Sequence, residues 1–84
     1  MIKGNIMNHL TIDWKAYETI QNKLIAILVD RYGIDPLAYE LIYCKETRNH
    51  DYTVIYSHLK SKAQIKTRIQ FSDETVIYFS AELV

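Results

Sequence analysis

The feature that most constrains the fold is a helix signal between residues 13 and 33. Asp13 suits the N-cap position, and Gly33 is placed to take the left-handed conformation that ends a helix. Asp35-Pro36 follows at once and stops any continuation. Between the two ends, apolar residues recur at the spacing of one helix face, namely Tyr17, Ile20, Leu24, Ile27 and Leu28. We therefore predict one long helix over residues 13–32.

This helix is apolar over more than the face that a sheet would cover. At about 100° per residue, a flank of further apolar residues lies beside the main face, and we call Trp14, Ile25, Val29 and Tyr32 the helix flank. The flank widens the apolar arc to roughly 200°, about twice what packing on a sheet requires. Residues 2–10, a second copy of the chain and a partner protein are the candidates for covering it.

After the helix, the pattern changes to that of strands. Residues 39–47 contain two Tyr, one Ile and the lone Cys and indicate a strand, although Asp35-Pro36 also suits the start of a short helix over residues 37–45. The polar stretch at residues 48–51 predicts a hairpin loop, with His50 and Asp51 as loop residues. A second strand is expected over residues 52–59.

The last third of the chain predicts two more strands. Residues 65–71 alternate between apolar and polar side chains, a period of two. Residues 72–74 form a turn, and residues 75–83 return with Ile77, Phe79 and Ala81 on one face. The expected fold is α+β, with one N-terminal helix packed on an antiparallel meander of about four strands. The predicted core is Tyr17, Ile20, Leu24, Ile27, Leu28, Leu41, Tyr43, Val54, Tyr56, Ile65, Ile69, Phe71, Ile77 and Phe79.

Size and composition predict one small soluble domain over residues 1–84, because 84 residues are too few for two cores. Residues 1–10 are expected to be a loose or strand-like segment, and Met7 is an alternative start to Met1. The longest apolar run, residues 24–29, is far short of the roughly 20 residues that span a bilayer. The lone Cys44 cannot form an intrachain disulfide, which favours a cytoplasmic protein.

The sequence contains no recognisable catalytic or cofactor motif. Cys44 with His50 or His58 is the only thiol pair available for nucleophilic chemistry, and the same residues with Asp51 match no metal-site spacing. With two glycines in the chain, no phosphate-binding glycine loop is present. We expect neither catalysis, cofactor nor metal, with a small enzyme lacking a motif as an alternative.

The formal net charge of zero conceals an uneven distribution. Residues 52–72 carry four basic residues and no acid, whereas residues 73–84 carry three acids and no base. On the third predicted strand, Lys66 and Arg68 point to the same side, and Tyr78 of the next strand shares that face. Basic residues beside an aromatic ring suit either single-stranded nucleic acid or a partner protein.

These observations favour a non-catalytic protein-binding module that occupies the surface of a partner, as small inhibitors and accessory proteins of phages or mobile elements do. The partner is expected to be another protein or a second copy of the chain, without membrane or cofactor. The expected contact residues are Trp14, Ile25, Val29 and Tyr32 on the helix and Lys66, Arg68 and Tyr78 on the sheet. A nucleic-acid-binding domain that uses the basic strand at residues 60–70 is the main alternative.

Overall fold

The computed structural model describes residues 11–83, in which one helix precedes a four-stranded sheet. The elements are α1 (Trp14–Tyr32), a 3₁₀ turn (Pro36–Ala38), β1 (Tyr39–Arg48), β2 (Asp51–His58), β3 (Gln64–Ser72) and β4 (Thr75–Leu83). The strands pair antiparallel in the order β1-β2-β3-β4. The predicted α+β meander is confirmed. No helix in residues 11–83 combines the length and apolar content needed to cross a membrane.

The ends of α1 are set by the residues that the sequence indicates. The Asp13 side chain accepts a hydrogen bond from the backbone N–H of Ala16 at 3.1 Å. Gly33 has a φ of 63°, and its N–H donates to the Val29 carbonyl at 3.1 Å. A residue with a Cβ is strained in that conformation, which explains the glycine. Pro36 then begins the 3₁₀ turn rather than a full helix, and β1 starts at Tyr39.

The core lies between α1 and one face of the sheet. From α1, Ile20, Leu24 and Leu28 are buried against the strands. The strands contribute Cys44, Tyr52, Val54, Tyr56, Ile65, Thr67 and Ile69. Thr67 is 1% exposed, and its hydroxyl donates to the Val54 carbonyl at 2.9 Å, which satisfies a polar group inside the core.

Two residues that we predicted in the core lie elsewhere because the strands contain bulges. In β1 the register shifts between Leu41 and Tyr43, so Cys44 takes the inward place and Tyr43 turns to the other face. In the β3–β4 pair the register shifts between Gln70 and Phe71. Ile77 of β4 therefore has no opposite residue on β3, and it is 58% exposed. An extra residue reverses the inward and outward alternation, so both predictions were wrong for the same physical reason.

The chain enters α1 along the outer edge of β1. Ile12 is 6% exposed and forms an isolated parallel bridge with Cys44, and the Asp13 N–H donates to the Cys44 carbonyl at 2.8 Å. This bridge anchors the beginning of the helix to the middle of β1. The expectation that residues 2–10 cover the helix flank, and the expectations about Met1 and Met7, lie outside the described residues.

Candidate interaction surfaces

The first candidate surface is the side of the sheet turned away from α1, which we call the open face. Strand register places its residues in rows across the four strands, and one row runs Lys45–Thr53–Arg68–Ser80. A second row runs Tyr43–Ile55–Lys66–Glu82, and Tyr78 lies opposite Gln70 at the end near the hairpin turns. Within residues 11–83, no helix packs against this face. Lys66, Arg68 and Tyr78 therefore share one exposed surface, as predicted.

A buried carboxylate holds the central arginine of this face. The Asp51 side chain is 3% exposed, and its two oxygens accept hydrogen bonds from Arg68 Nε at 3.1 Å and Nη2 at 2.8 Å. These bonds lower the pKa of Asp51, against the opposing effect of burial. Our prediction of Asp51 as a loop residue was wrong, because it is the first residue of β2. The paired carboxylate fixes the guanidinium in one orientation while Arg68 stays 49% exposed.

The hairpin before β2 explains why Asp51 sits there. His50 adopts a left-handed φ of 62°, and its N–H donates to Glu46 Oε2 at 2.8 Å. The His50 carbonyl accepts from the Phe71 N–H at 2.9 Å, which attaches the turn to β3. The turn thus ends with Asp51 facing the open face beside Arg68.

Tyr78 completes the arrangement from the neighbouring strand. The Arg68 Cζ lies 5.3 Å from the centroid of the Tyr78 ring, within cation–π range. Tyr78 is 45% exposed, so ring and guanidinium are presented together. Lys66 lies directly opposite Glu82 in the β3–β4 register. These side chains line a shallow depression of about 470 Å³. The hydroxyl-bearing residues Thr47, Thr53 and Ser80 line it as well.

The second candidate surface is the helix flank. Trp14, Val29 and Tyr32 are 53%, 41% and 50% exposed, and Ile25 is half-buried. Trp14 packs edge-on against Tyr17, with ring centroids 6.3 Å apart. Tyr32 lies 6.1 Å from the Phe79 ring of β4. Trp14 and Tyr32 are 18 positions apart, about 27 Å along the axis, so the flank is a long strip rather than a compact patch.

A small apolar groove runs beside the middle of this flank. Its volume is about 120 Å³, and its lining residues include Ile25, Leu28, Val29, Tyr39 and Leu41. At one end the Tyr17 and Tyr56 hydroxyls are 2.8 Å apart and share a hydrogen bond. Burial raises the pKa of Tyr56 above its usual range, so this hydroxyl stays protonated. The groove is thus neutral and mostly apolar.

Cys44 and His58, which we considered for nucleophilic chemistry, lie at different positions along the β1–β2 pair. Cys44 is fully buried, and burial raises the pKa of its thiol to about 11, so the nucleophilic thiolate is scarce at neutral pH. His58 packs its ring 5.0 Å from the Tyr39 ring, and its Nδ1 accepts from the N–H groups of Lys60 and Ser61. Across the described part of the chain, no three Cys, His, Asp or Glu side chains come together as metal ligands.

One concave region was not anticipated from the sequence. A cleft of about 410 Å³ opens between α1 and the two hairpin turns, with Ile20, Tyr52 and Phe71 among its lining residues. Lys23 reaches across it and donates a hydrogen bond to the Glu74 carbonyl. This hydrogen bond ties α1 to the turn between β3 and β4.

The structure divides the residues that we predicted to make contacts between two surfaces. Lys66, Arg68 and Tyr78 lie together on the open face, whereas the four helix residues lie on the other side of the sheet. Asp51, which sequence reasoning missed, joins the first group. Its signal was weak, since it is merely the acid just before the basic stretch at residues 52–72. No protein-family model, curated protein or solved structure matches this chain.

Proposed function

We propose that this protein is a non-catalytic protein-binding module that binds its partner through the open face of the sheet. The observation that carries the proposal is the arrangement of Asp51, Arg68 and Tyr78. Burying a carboxylate costs free energy unless it is paired, and here the pair holds an exposed arginine against an exposed ring. Arginine and tyrosine are enriched among the residues that dominate binding energy at protein interfaces.

Preorganisation is the physical advantage of this arrangement. A free arginine side chain loses rotamer entropy when a partner immobilises it, roughly 0.5–1.5 kcal/mol for a flexible side chain. The two hydrogen bonds from Arg68 to Asp51 restrict that freedom before binding. The N–H groups of Nη1 take no part in the pair and are available to acceptors on the partner.

The charges of this face support a protein partner over nucleic acid. The Arg68 charge is already balanced by Asp51, and Lys66 lies opposite Glu82. Arg68, one of the four basic residues in the stretch 52–72, is therefore already paired, and the acidic Glu82 lies on the same face. Both features disfavour phosphates, whose contacts supply most of the affinity for nucleic acid. As part of the proposal, the module acts in the cytoplasm and belongs with small inhibitors or accessory proteins of phages and other mobile elements.

The test compares affinity capture by three forms of the protein from an extract of the cells that encode it. The open-face variant carries Lys66→Ala with Tyr78→Ala, which leaves the Asp51–Arg68 pair in place. The matched control, on the other side of the sheet, carries Trp14→Ala with Val29→Ala. We expect one protein that the wild type and the control recover equally and that the open-face variant recovers at least about tenfold less, the loss expected of interface residues worth more than 1.4 kcal/mol.

Equal recovery of every protein by all three forms would contradict the proposal. Loss by the control variant alone would show that the partner binds the helix flank instead. Retarded mobility of single-stranded oligonucleotides at low salt, abolished by Lys66→Glu with Arg68→Glu, would replace the protein partner with nucleic acid.

A further inference from the structure

The two edges of the sheet differ in how they are protected. The outer edge of β1 is bridged by Ile12, and its Cys44 carbonyl accepts from the Asp13 N–H. Charged side chains at Glu40, Lys45, Glu46 and Arg48 and a bulge add to this protection. On β4, by contrast, no strand or bridge within residues 11–83 pairs with the outer edge. Unprotected edges expose backbone donors and acceptors that another strand can bind.

The sequence of β4 lacks the devices that normally block such pairing. Over Thr75–Leu83 it contains no Lys, Arg or Pro, and Glu82 is its only charged residue. Its bulge lies near the start, at Ile77, and residues 78–83 pair with β3 in unbroken register. We propose that β4 pairs antiparallel with β4 of a second copy about a two-fold axis at Ser80, which joins two sheets into one of eight strands. This inference goes beyond the proposed function, because neither requires the other.

The charge pattern fits this register. With Ser80 opposite its counterpart, Tyr78 lies opposite Glu82 of the second copy, and Phe79 lies opposite Ala81. The two Glu82 carboxylates are then four residues apart along the strands, about 14 Å, so they do not repel each other directly. A register centred on Glu82 would place them face to face, which is unfavourable.

Exposed apolar side chains border the same edge. Ile77, Tyr78 and Leu83 are 58%, 45% and 79% exposed, and Tyr32 of the helix flank lies against Phe79 of β4. If each of these four side chains covers roughly 100 Å² at the interface, two copies bury about 800 Å² before the backbone is counted. That total lies below the roughly 1,200 Å² of the smallest stable interfaces, so we expect a weak and readily reversible dimer.

The first experiment measures molecular mass in solution against concentration, by sedimentation equilibrium. The wild type is expected to move from a mass of 9.9 kDa toward twice that value as concentration rises. Ile77→Lys with Leu83→Lys adds charge to the edge and is expected to weaken association at least about tenfold. The matched control, Leu37→Lys with Leu59→Lys, makes the same chemical change at exposed positions away from β4 and should associate like the wild type.

A wild type that stays monomeric at every concentration would overturn the proposal, as would equal weakening by the control. Unchanged thermal unfolding of both variants at dilution confirms that the substitutions act on association rather than on folding.

The second experiment tests the register by disulfide trapping. Ser80→Cys places two thiols opposite each other at the axis, within the Cα separation that a disulfide allows. Glu82→Cys places them about 14 Å apart and serves as the control. We expect rapid crosslinking of the first variant under mild oxidation and little of the second, with the buried Cys44 unreactive in both. Crosslinking of Glu82→Cys at an equal or faster rate would overturn the proposed pairing.

Discussion

Replacing Asp51 by asparagine tests whether the ion pair of the open face is built into the stability of the fold. Asp51→Asn keeps the size of the side chain but removes its charge and one acceptor, so an amide N–H₂ faces the donors of Arg68. Two charge-assisted hydrogen bonds are affected, and the carboxylate is 3% exposed. Because the Arg68 side chain is half exposed to water, this pair contributes less free energy to folding than a fully buried ion pair would. We expect a loss of about 2 kcal/mol, or a fall in Tm of roughly 8–16 °C.

The dependence on pH gives this prediction a specific sign. Arg68 lowers the pKa of folded Asp51, so the stabilisation is fully present above the pKa of an unfolded aspartate, about 4. It is lost as the pH falls through the lower pKa of the folded protein. The difference in Tm between wild type and Asp51→Asn should therefore be constant from about pH 7 to 5 and shrink below about pH 4.

The assay is thermal unfolding followed by circular dichroism across that pH range. Asp30→Asn, which changes an exposed carboxylate on α1, is the matched control and should shift Tm little. If Asp51→Asn lowers Tm no more than the control at pH 7, or if its effect does not diminish in acid, the pair does not stabilise the fold as we argue.

Other expectations concern the groove, the turns and the thiol. Tyr17→Phe should cost more stability than Tyr56→Phe, because it leaves the buried Tyr56 hydroxyl unpaired, at about 1–3 kcal/mol; equal losses in denaturant unfolding would contradict this. Gly33→Ala should cost about 1–2 kcal/mol by the same assay, since φ is 63° but no atom lies within 4 Å of the added Cβ. Glu74→Gly should instead stabilise by up to about 1 kcal/mol, because Glu74 has a φ of 65°. Cys44 should react with a thiol reagent only at the rate of unfolding, and rapid labelling of the native protein would disprove its burial.

The helix was predictable because its determinants are local. The Asp13 cap, the apolar spacing and Gly33 all lie within the segment that they define, and the ends of α1 follow them. β3 and β4 were likewise found from their alternation, whereas β1 and β2 were predicted from their composition and the polar stretch between them. Tyr43 and Ile77 were misplaced because a bulge is decided by how a strand pairs with its neighbour, and no pattern within the strand reveals the extra residue.

The candidate site was predictable only in part. Lys66 and Arg68 share a face because they are two residues apart on a regular strand, and Tyr78 joins them through the β3–β4 register. Asp51 could not be assigned to them in the same way, since it lies 17 residues before Arg68 in a polar turn-like sequence. Its burial depends on the β2–β3 pairing, which brings the start of β2 to the end of β3.

The Ile12–Cys44 bridge also has a consequence for how the protein folds. Each strand pair joins neighbours in the chain through a short connection, so the sheet needs only local contacts, which form quickly. The bridge, in contrast, closes a loop of about 30 residues that contains all of α1, and closing such a loop costs more entropy. We expect the meander to form first and the helix to dock on it afterwards. Because the Asp13 N–H is bonded to β1, its hydrogen exchange should report this docking directly, and it should open more readily than the amides at the centre of β2 and β3.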